Sequence, residues 1–222
     1  RIDALSLPFY FRMFLGKAWR LFEYFCFSRF AGVITTTDTM KKLYVGTKKP
    51  ALSISNVPYL KKLNGAVQLQ EKEKNLVIII SGSHSKARNC LQAIEALPII
   101  LRENPNVFLK FVGNYYPESY KKTLFEKGKQ LHVEDRLIFE GMYPWLENFK
   151  RVCRAHIGCV FYERNANNLV AIPNRLFEYM YCGLAIIAER FPEVAKVVEV
   201  SKCGILVDSS KPAEIAEGIM NL

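Results

Sequence analysis

The sequence predicts an α/β protein: a doubly wound parallel sheet of about six strands, preceded by part of another α/β unit. Three observations predict it. From about residue 75, short β-branched apolar runs alternate regularly with stretches of helical spacing. The first run, NLVIIISG (75–82), is uninterrupted, as expected of a strand buried on both faces. The alternation itself calls for parallel strands joined by right-handed crossovers.

The strands read in order as NLVIIISG (75–82), NVFLKFVGN (106–114), RLIFEG (136–141), IGCVFYE (157–163), LAIIAER (184–190) and GILVD (204–208). Helices fill the intervals. NCLQAIEALPIILREN has helical spacing through Leu91, Ile94 and Ala96, with Pro98 as a local interruption. PESYKKTLFEKGKQLH places Pro117 in a first helical turn. YPWLENFKRVCRAH follows, then helices opened by Pro173 and Pro192, and a last one in KPAEIAEGIMNL. In the helix from 174, Phe177, Met180 and Leu184 form the stripe expected to face the sheet.

Residues 1–70 alternate in the same way but are too few for a complete sheet of their own. FRMFLGKAWRLFEYFCFSRF is an aromatic and basic helix, GVITTT a strand, DTMKKLYV a helix and ALSISN another strand. The polar, irregular stretch 56–74 reads as a linker. The expected division is therefore 1–70, the end of one α/β domain with its linker, and 71–222, the six-stranded domain.

Composition narrows the function classes. No run of eighteen uncharged apolar residues is present, so no membrane-spanning helix is expected. The first residues lack the order of a signal peptide and an initiator Met, which suggests a chain that begins partway through a longer protein. Six cysteines form no C-x-x-C pair and sit mostly in apolar runs, the pattern of reduced thiols in a cytoplasmic protein. Three scattered histidines (84, 132 and 156) argue against a metal cluster. A net charge of +10 favours phosphate, as a nucleotide or a lipid surface carries. The absence of an arginine-rich tract or RNA-binding signature makes nucleic acid an unexpected partner.

Doubly wound sheets bind ligands beyond the carboxyl ends of their strands, beside helix amino ends. Such an end presents unpaired N–H groups and a positive dipole, an arrangement that suits phosphate. In IPNRLFEYMYCGLAII, Pro173 presets the backbone for a helix, Asn174 caps or donates, and Arg175 supplies a guanidinium. Glu178 has two readings. One is an ion pair with Arg175 at i, i+3; the other is a carboxylate accepting hydrogen bonds from vicinal hydroxyls such as those of a ribose.

The segment IPNRLFEYMYCGLAIIAERFPEVAKVVEVSKCGILVD resembles the nucleotide-sugar-binding part of the group 1, retaining glycosyltransferases of GT-B fold. It is most similar to the branch whose helix reads P-N-[KR]-L-F-E-Y-M. AGVITTTDTMKKLY and SISNVP resemble the end of that family's first, acceptor-side domain, and FEGMYP the loop after the third strand of its Rossmann-like second domain. The resemblance implies that Glu178 binds the donor ribose and that the backbone around Pro173, Asn174 and Arg175 holds the donor diphosphate. In SGSHSKARNC it implies a role for Gly82, with Arg88 replacing the family's lysine; Ser83 stands where an arginine is common, and Lys86 is an alternative cation. Gly141, Met142 and Tyr143 match a loop whose backbone reads the base. A glutamate that touches the sugar in most of the family is Val170 here, and Glu163 does not take its place.

The implied activity is sugar transfer from a UDP- or GDP-type donor to a saccharide or lipid-linked saccharide, in bacterial polysaccharide or glycolipid synthesis. Arg88 and Arg175 would stabilise the leaving diphosphate. No cofactor is expected, and no metal, because the four aspartates (3, 38, 135 and 208) form no Asp-x-Asp pair. His84 reads as a loop residue near the crevice. The helix around Trp19, with Arg20, Phe22, Phe25 and Arg29, reads either as a face for the inner membrane surface or as an aromatic stripe buried against the missing sheet of the preceding domain. On this reading the chain by itself mainly binds donor. Two other function classes fit the residues: a nucleotide-binding domain without transfer chemistry, and a basic peripheral-membrane protein.

Overall fold

The structure, a computed structural model, describes residues 8–44, 49–59 and 70–222. The chain divides into two compact units, Arg1–Ser55 and Asn56–Leu222. Most of the linker read at 56–74 lies at 60–69, outside the described residues.

In the first unit, α1 (Phe9–Arg29), β1 (Val33–Thr35), α2 (Asp38–Lys42) and β2 (Ala51–Ser53) follow one another, and the two strands pair in parallel. The Thr37 side chain caps α2 by accepting the Met40 N–H at 3.2 Å, and Asp38 supplies a carboxylate to its first turn. On α1, Trp19, Phe22 and Phe25 are each more than half exposed within this unit. No helix among the described residues is long and apolar enough to cross a membrane.

The second unit carries β3 (Leu76–Ser81), β4 (Val107–Val112), β5 (Leu137–Glu140), β6 (Ile157–Val160), β7 (Ala185–Glu189) and β8 (Gly204–Val207). They form one parallel sheet in the order β5-β4-β3-β6-β7-β8. The chain starts in the middle, winds outward to β5, returns to β6 beside β3, and winds outward the other way. The strand order therefore reverses between β3 and β6, where a crevice opens at the carboxyl edge.

Helices α3 (Cys90–Glu103), α4 (Tyr120–Gln130) and α9 (Pro212–Met220) supply side chains to one core; α5 (Trp145–Cys153), α7 (Asn174–Tyr181) and α8 (Pro192–Ser201) supply the other. Strand β3 feeds both. Ile78 and Ile80 enter the first core, Val77 and Ile79 the second, as the two-residue period of a strand requires. This is why its run carries no polar residue between Leu76 and Ile80.

Two local readings change and one short helix is added. Pro117 does not open α4: the helix starts at Tyr120, whose N–H bonds the Pro117 carbonyl at 2.9 Å across a preceding turn. Ala166–Val170 forms a short helix, α6, capped by Asn165, whose side chain accepts the Asn168 N–H at 2.9 Å. The stripe that α7 turns to the sheet is Leu176, Tyr179 and Cys182, not Phe177 and Met180, which are only half-buried. Pro98 lies within α3, whose buried face of Ala93, Ile94, Ala96, Leu97 and Ile100 continues on both sides of it. That burial outweighs one missing N–H.

Candidate functional site

The register of α7 is set by one aromatic ring. Tyr179 is fully buried against Gly158 of β6, where any Cβ would overlap the ring. Its hydroxyl accepts the Ser81 N–H at 3.0 Å and donates to Ser81 Oγ at 3.2 Å. The helix is thereby tied to the last residue of β3. Pro173 precedes the first turn with φ −68°, and Asn174 and Arg175 occupy that turn.

At the other end, the Gly183 N–H bonds the Met180 carbonyl and the Leu184 N–H bonds the Tyr179 carbonyl, both at 3.1 Å. Gly183, at φ +65°, supplies the left-handed turn that lets β7 begin at once.

With α7 held there, the Arg175 guanidinium lies directly over Gly82, the residue after β3. Gly82 has φ +102°, and a Cβ on it would overlap Arg175 Nη2. Gly113 after β4, at φ +137°, is packed as tightly onto the Gly82 carbonyl. Two successive strands thus end in glycine because their backbones and a guanidinium share one small space.

Arg88 comes from the short 3₁₀ turn Lys86–Arg88, and its guanidinium stacks 3.9 Å over the Tyr162 ring. The Glu163 N–H bonds the Ala87 carbonyl at 2.9 Å, which joins the segment after β6 to this turn. Asn89, left-handed at φ 47°, donates to Ser209 Oγ at 2.8 Å, and Ser209 in turn donates to the buried Glu189. The turn is anchored on both sides.

His84 is wholly buried beside the two arginines rather than standing on an exposed loop. Its ring lies 5.5 Å from Phe111 and 4.9 Å from Tyr115. Burial, with the Arg175 and Arg88 charges, holds its pKa down at about 4; the Val112 carbonyl offsets part of this without forming a well-directed bond. Both His84 ring nitrogens, Arg88 Nη1 and Arg175 Nε are buried without a hydrogen-bond partner. Orphaned buried polar atoms are rare in native proteins, and four together mark a place built for a polar ligand.

Glu178, one turn further along α7, forms no ion pair with Arg175. Its Oε1 instead accepts the Trp145 indole N–H at 3.3 Å. Trp145 is the first residue of α5, reached through the loop that contains Gly141 and Met142. The carboxylate stays half-exposed. The local-pairing reading therefore fails, and the arrangement leaves a carboxylate and two guanidinium groups along one crevice.

The structure thus brings together Gly82, Arg88, Pro173, Asn174 and Arg175, with Glu178 one turn away. Ser83 is half-buried between Gly82 and His84, and Lys86 is exposed. Gly141 and Met142 follow β5 at the same edge, with Met142 77% exposed, and make no hydrogen bond to the cluster. Val170 ends α6 and offers no carboxylate. Sequence reasoning missed Trp145, Tyr162, Tyr179 and Gly113. Only the glycine after the second strand carried a signal, because it repeats the position of Gly82 after the first.

A cavity of about 720 Å³ lies at the opposite, amino edge, lined by Lys72, Glu73, Phe108 and Arg154 among others. Its charges answer one another: Glu73 pairs with Lys110 at 3.1 Å and with Arg154 at 3.5 Å. The unpaired polar atoms, not the larger volume, identify the site.

Comparison with known proteins addresses the fold. No curated protein sequence matches the chain. Among solved structures, the HepE protein of Anabaena, solved with UDP and glucose, is similar at TM-score 0.69 and 18% identity, over 91% of this chain and 56% of that one. Sucrose-phosphate synthase of Thermosynechococcus elongatus gives TM-score 0.70 and 15% identity, over 92% and 52%. The C-terminal domain of a group 1 glycosyl transferase, LpcC of Francisella tularensis, gives 0.56 and 22%, over 68% and 76%. The chain spans about half the length of the first two, and at these identities the likeness is one of fold. The family profile of glycosyl transferases group 1 matches residues 63–222, the whole sheet and every side chain of the crevice, and the chain belongs to that family.

Proposed function

We propose that the protein transfers a sugar from a nucleoside-diphosphate sugar to a saccharide or lipid-linked saccharide, and that this chain carries the donor site. The observation that carries the reading is the guanidinium of Arg175 laid over Gly82 at the strand-order reversal, beside unpaired donors of Arg88 and His84. A diphosphate is the ligand that this set of donors and the amino end of α7 would satisfy. Glu178, steadied by Trp145, accepts the ribose hydroxyls, and the loop at Gly141 and Met142 lies against the base.

The chemistry follows from the charges. When the bond between the anomeric carbon and the donor oxygen breaks, negative charge grows on the diphosphate. Arg88 and Arg175 are already in place to meet it, and fixed cations in a sheltered site need little rearrangement. With no Asp-x-Asp pair in the sequence, the reading is metal-independent, and the family resemblance adds retention of the anomeric configuration. UDP in the HepE structure makes a uridine donor the first to try.

The test is a thermal-shift comparison of UDP, GDP and ADP. A ligand at a hundred times its Kd adds about 2.7 kcal/mol to native stability, enough to read as a rise of several degrees. The expected result is a rise with one nucleotide, lost in Glu178→Ala. No rise with any of the three, or an equal rise in the variant, contradicts the proposal. Transfer assays on the full-length protein then separate the enzyme from a domain that only binds.

Membrane association belongs to the same proposal. The exposed Trp19, Phe22 and Phe25, with Arg20 and Arg29, suit an anionic bilayer surface at the cytoplasmic side, where lipid-linked acceptors are found. Co-sedimentation with vesicles that does not depend on anionic lipid argues against it.

A further inference from the structure

His84 is the least explained residue of the crevice. It is 0% exposed, and its backbone is pinned twice: its N–H bonds the Asn114 carbonyl at 2.7 Å, and its carbonyl accepts the Tyr116 N–H at 2.8 Å. The ring is wedged between Phe111 and Tyr115. Yet neither ring nitrogen has a hydrogen-bond partner. An imidazole whose purpose was to fill space would be served better by an apolar side chain.

We propose that His84 couples donor binding to a proton: neutral beneath Arg88 and Arg175 in the free protein, it takes up one proton from solvent when a diphosphate settles on the two guanidinium groups. The inference rests on the donor-site reading above. No bond other than the new N–H forms. The imidazolium then acts as a positioning residue, adding a third positive charge behind the two arginines.

The neighbours of His84 account for the direction. Arg175 of α7 and Arg88 of the 3₁₀ turn are the charged groups acting on it, and both oppose its protonation. From α3, Cys90 is held neutral by burial, which pushes its thiol up to about 12. After β4, burial likewise pushes the Tyr115 hydroxyl up, and from α4 that of Tyr120. Lys121 of α4 lies 5.9 Å over the Tyr115 ring and adds positive charge at longer range. No carboxylate acts on the imidazole.

A bound diphosphate diester brings two negative charges, which offset the Arg175 and Arg88 charges that oppose protonation of His84. With those charges offset, the imidazole pKa rises from about 4 towards its ordinary value.

Isothermal titration at pH 5.5 reads the proton directly. UDP-glucose, GDP-mannose and ADP-glucose are the probes, because their diphosphate diesters do not titrate in this range. Observed heats in buffers of different ionisation enthalpy give the protons taken up per ligand bound. The expected result is an uptake of more than half a proton, near zero in His84→Gln, with a Kd about fourfold tighter at pH 5.5 than at pH 7.5.

Should His84→Gln not fold, imidazole ¹⁵N shifts of otherwise unaltered protein read the same proton, with His132 and His156 substituted to single out His84. Binding without uptake, or with uptake unchanged in His84→Gln, overturns the coupling and leaves the donor site standing. Binding of none of the three nucleotide sugars overturns both.

Discussion

Gly82 shows how a single hydrogen atom in place of a side chain can govern a site. Its φ of +102° is unfavourable for any L-residue, and a Cβ there would meet the Arg175 guanidinium. Gly82→Ala is expected to cost about 1–2 kcal/mol in denaturant unfolding, and to weaken nucleotide binding further by displacing Arg175. A full nucleotide-induced thermal shift in that variant would remove Arg175 from the site. Arg175 and Glu178 were legible as candidates in the sequence by their types, and Gly82 through the family resemblance. Trp145 as the partner of Glu178 was not, because 33 residues separate them and only the packing of α5 beside α7 brings them together.

At the scale of elements, the register of α7 depends on Tyr179 and Gly158. The ring occupies the space a side chain on β6 would need, and the hydroxyl pairs with the end of β3. Gly158→Ala is expected to destabilise by about 1–3 kcal/mol through overpacking. Tyr179→Phe, which keeps the ring and strips the Ser81 N–H of its acceptor, is expected to cost about 1–3 kcal/mol. Both are read from urea midpoints at unchanged slope. Equal stability of Tyr179→Phe and the parent would show that the hydroxyl does not anchor the helix.

A helix boundary set by proline at the first turn was readable at Pro192. The buried face of α7 was not. Aromatic and aliphatic residues occupy most of its positions, so periodicity alone does not single out the Leu176, Tyr179 and Cys182 side. The misplaced Pro117 has the same origin, since a proline before a helical pattern also fits a turn that leads into the helix.

At the scale of the whole molecule, stability follows pH through the buried imidazole. Folding lowers the His84 pKa from 6.5 to about 4, so between these values the unfolded chain binds a proton that the folded chain does not. Stability therefore falls as pH drops from about 6.5 towards 4, by about 3 kcal/mol from this residue, and then levels off. His156 is also lowered, chiefly by burial, and acts in the same direction. Carboxyl groups lowered by lysine or serine contacts, such as Glu214 and Asp208, add their own loss at still lower pH. Urea titrations at pH 7 and pH 4.5 are expected to show a smaller difference in His84→Gln than in the parent. An unchanged difference would mean that His84 is protonated in the native state.

By itself the sequence determined the strand and helix alternation, the six strands, the parallel sheet and the residue types of the candidate site. Those properties reside in local periodicity and side-chain chemistry, which neighbouring residues express together. Only the tertiary structure decided which face of α7 is buried, that Glu178 answers Trp145 rather than Arg175, and that His84 lies sealed beneath two arginines. Each of these is an outcome of competition for one small volume between segments distant along the chain, and local pattern carries no record of that competition.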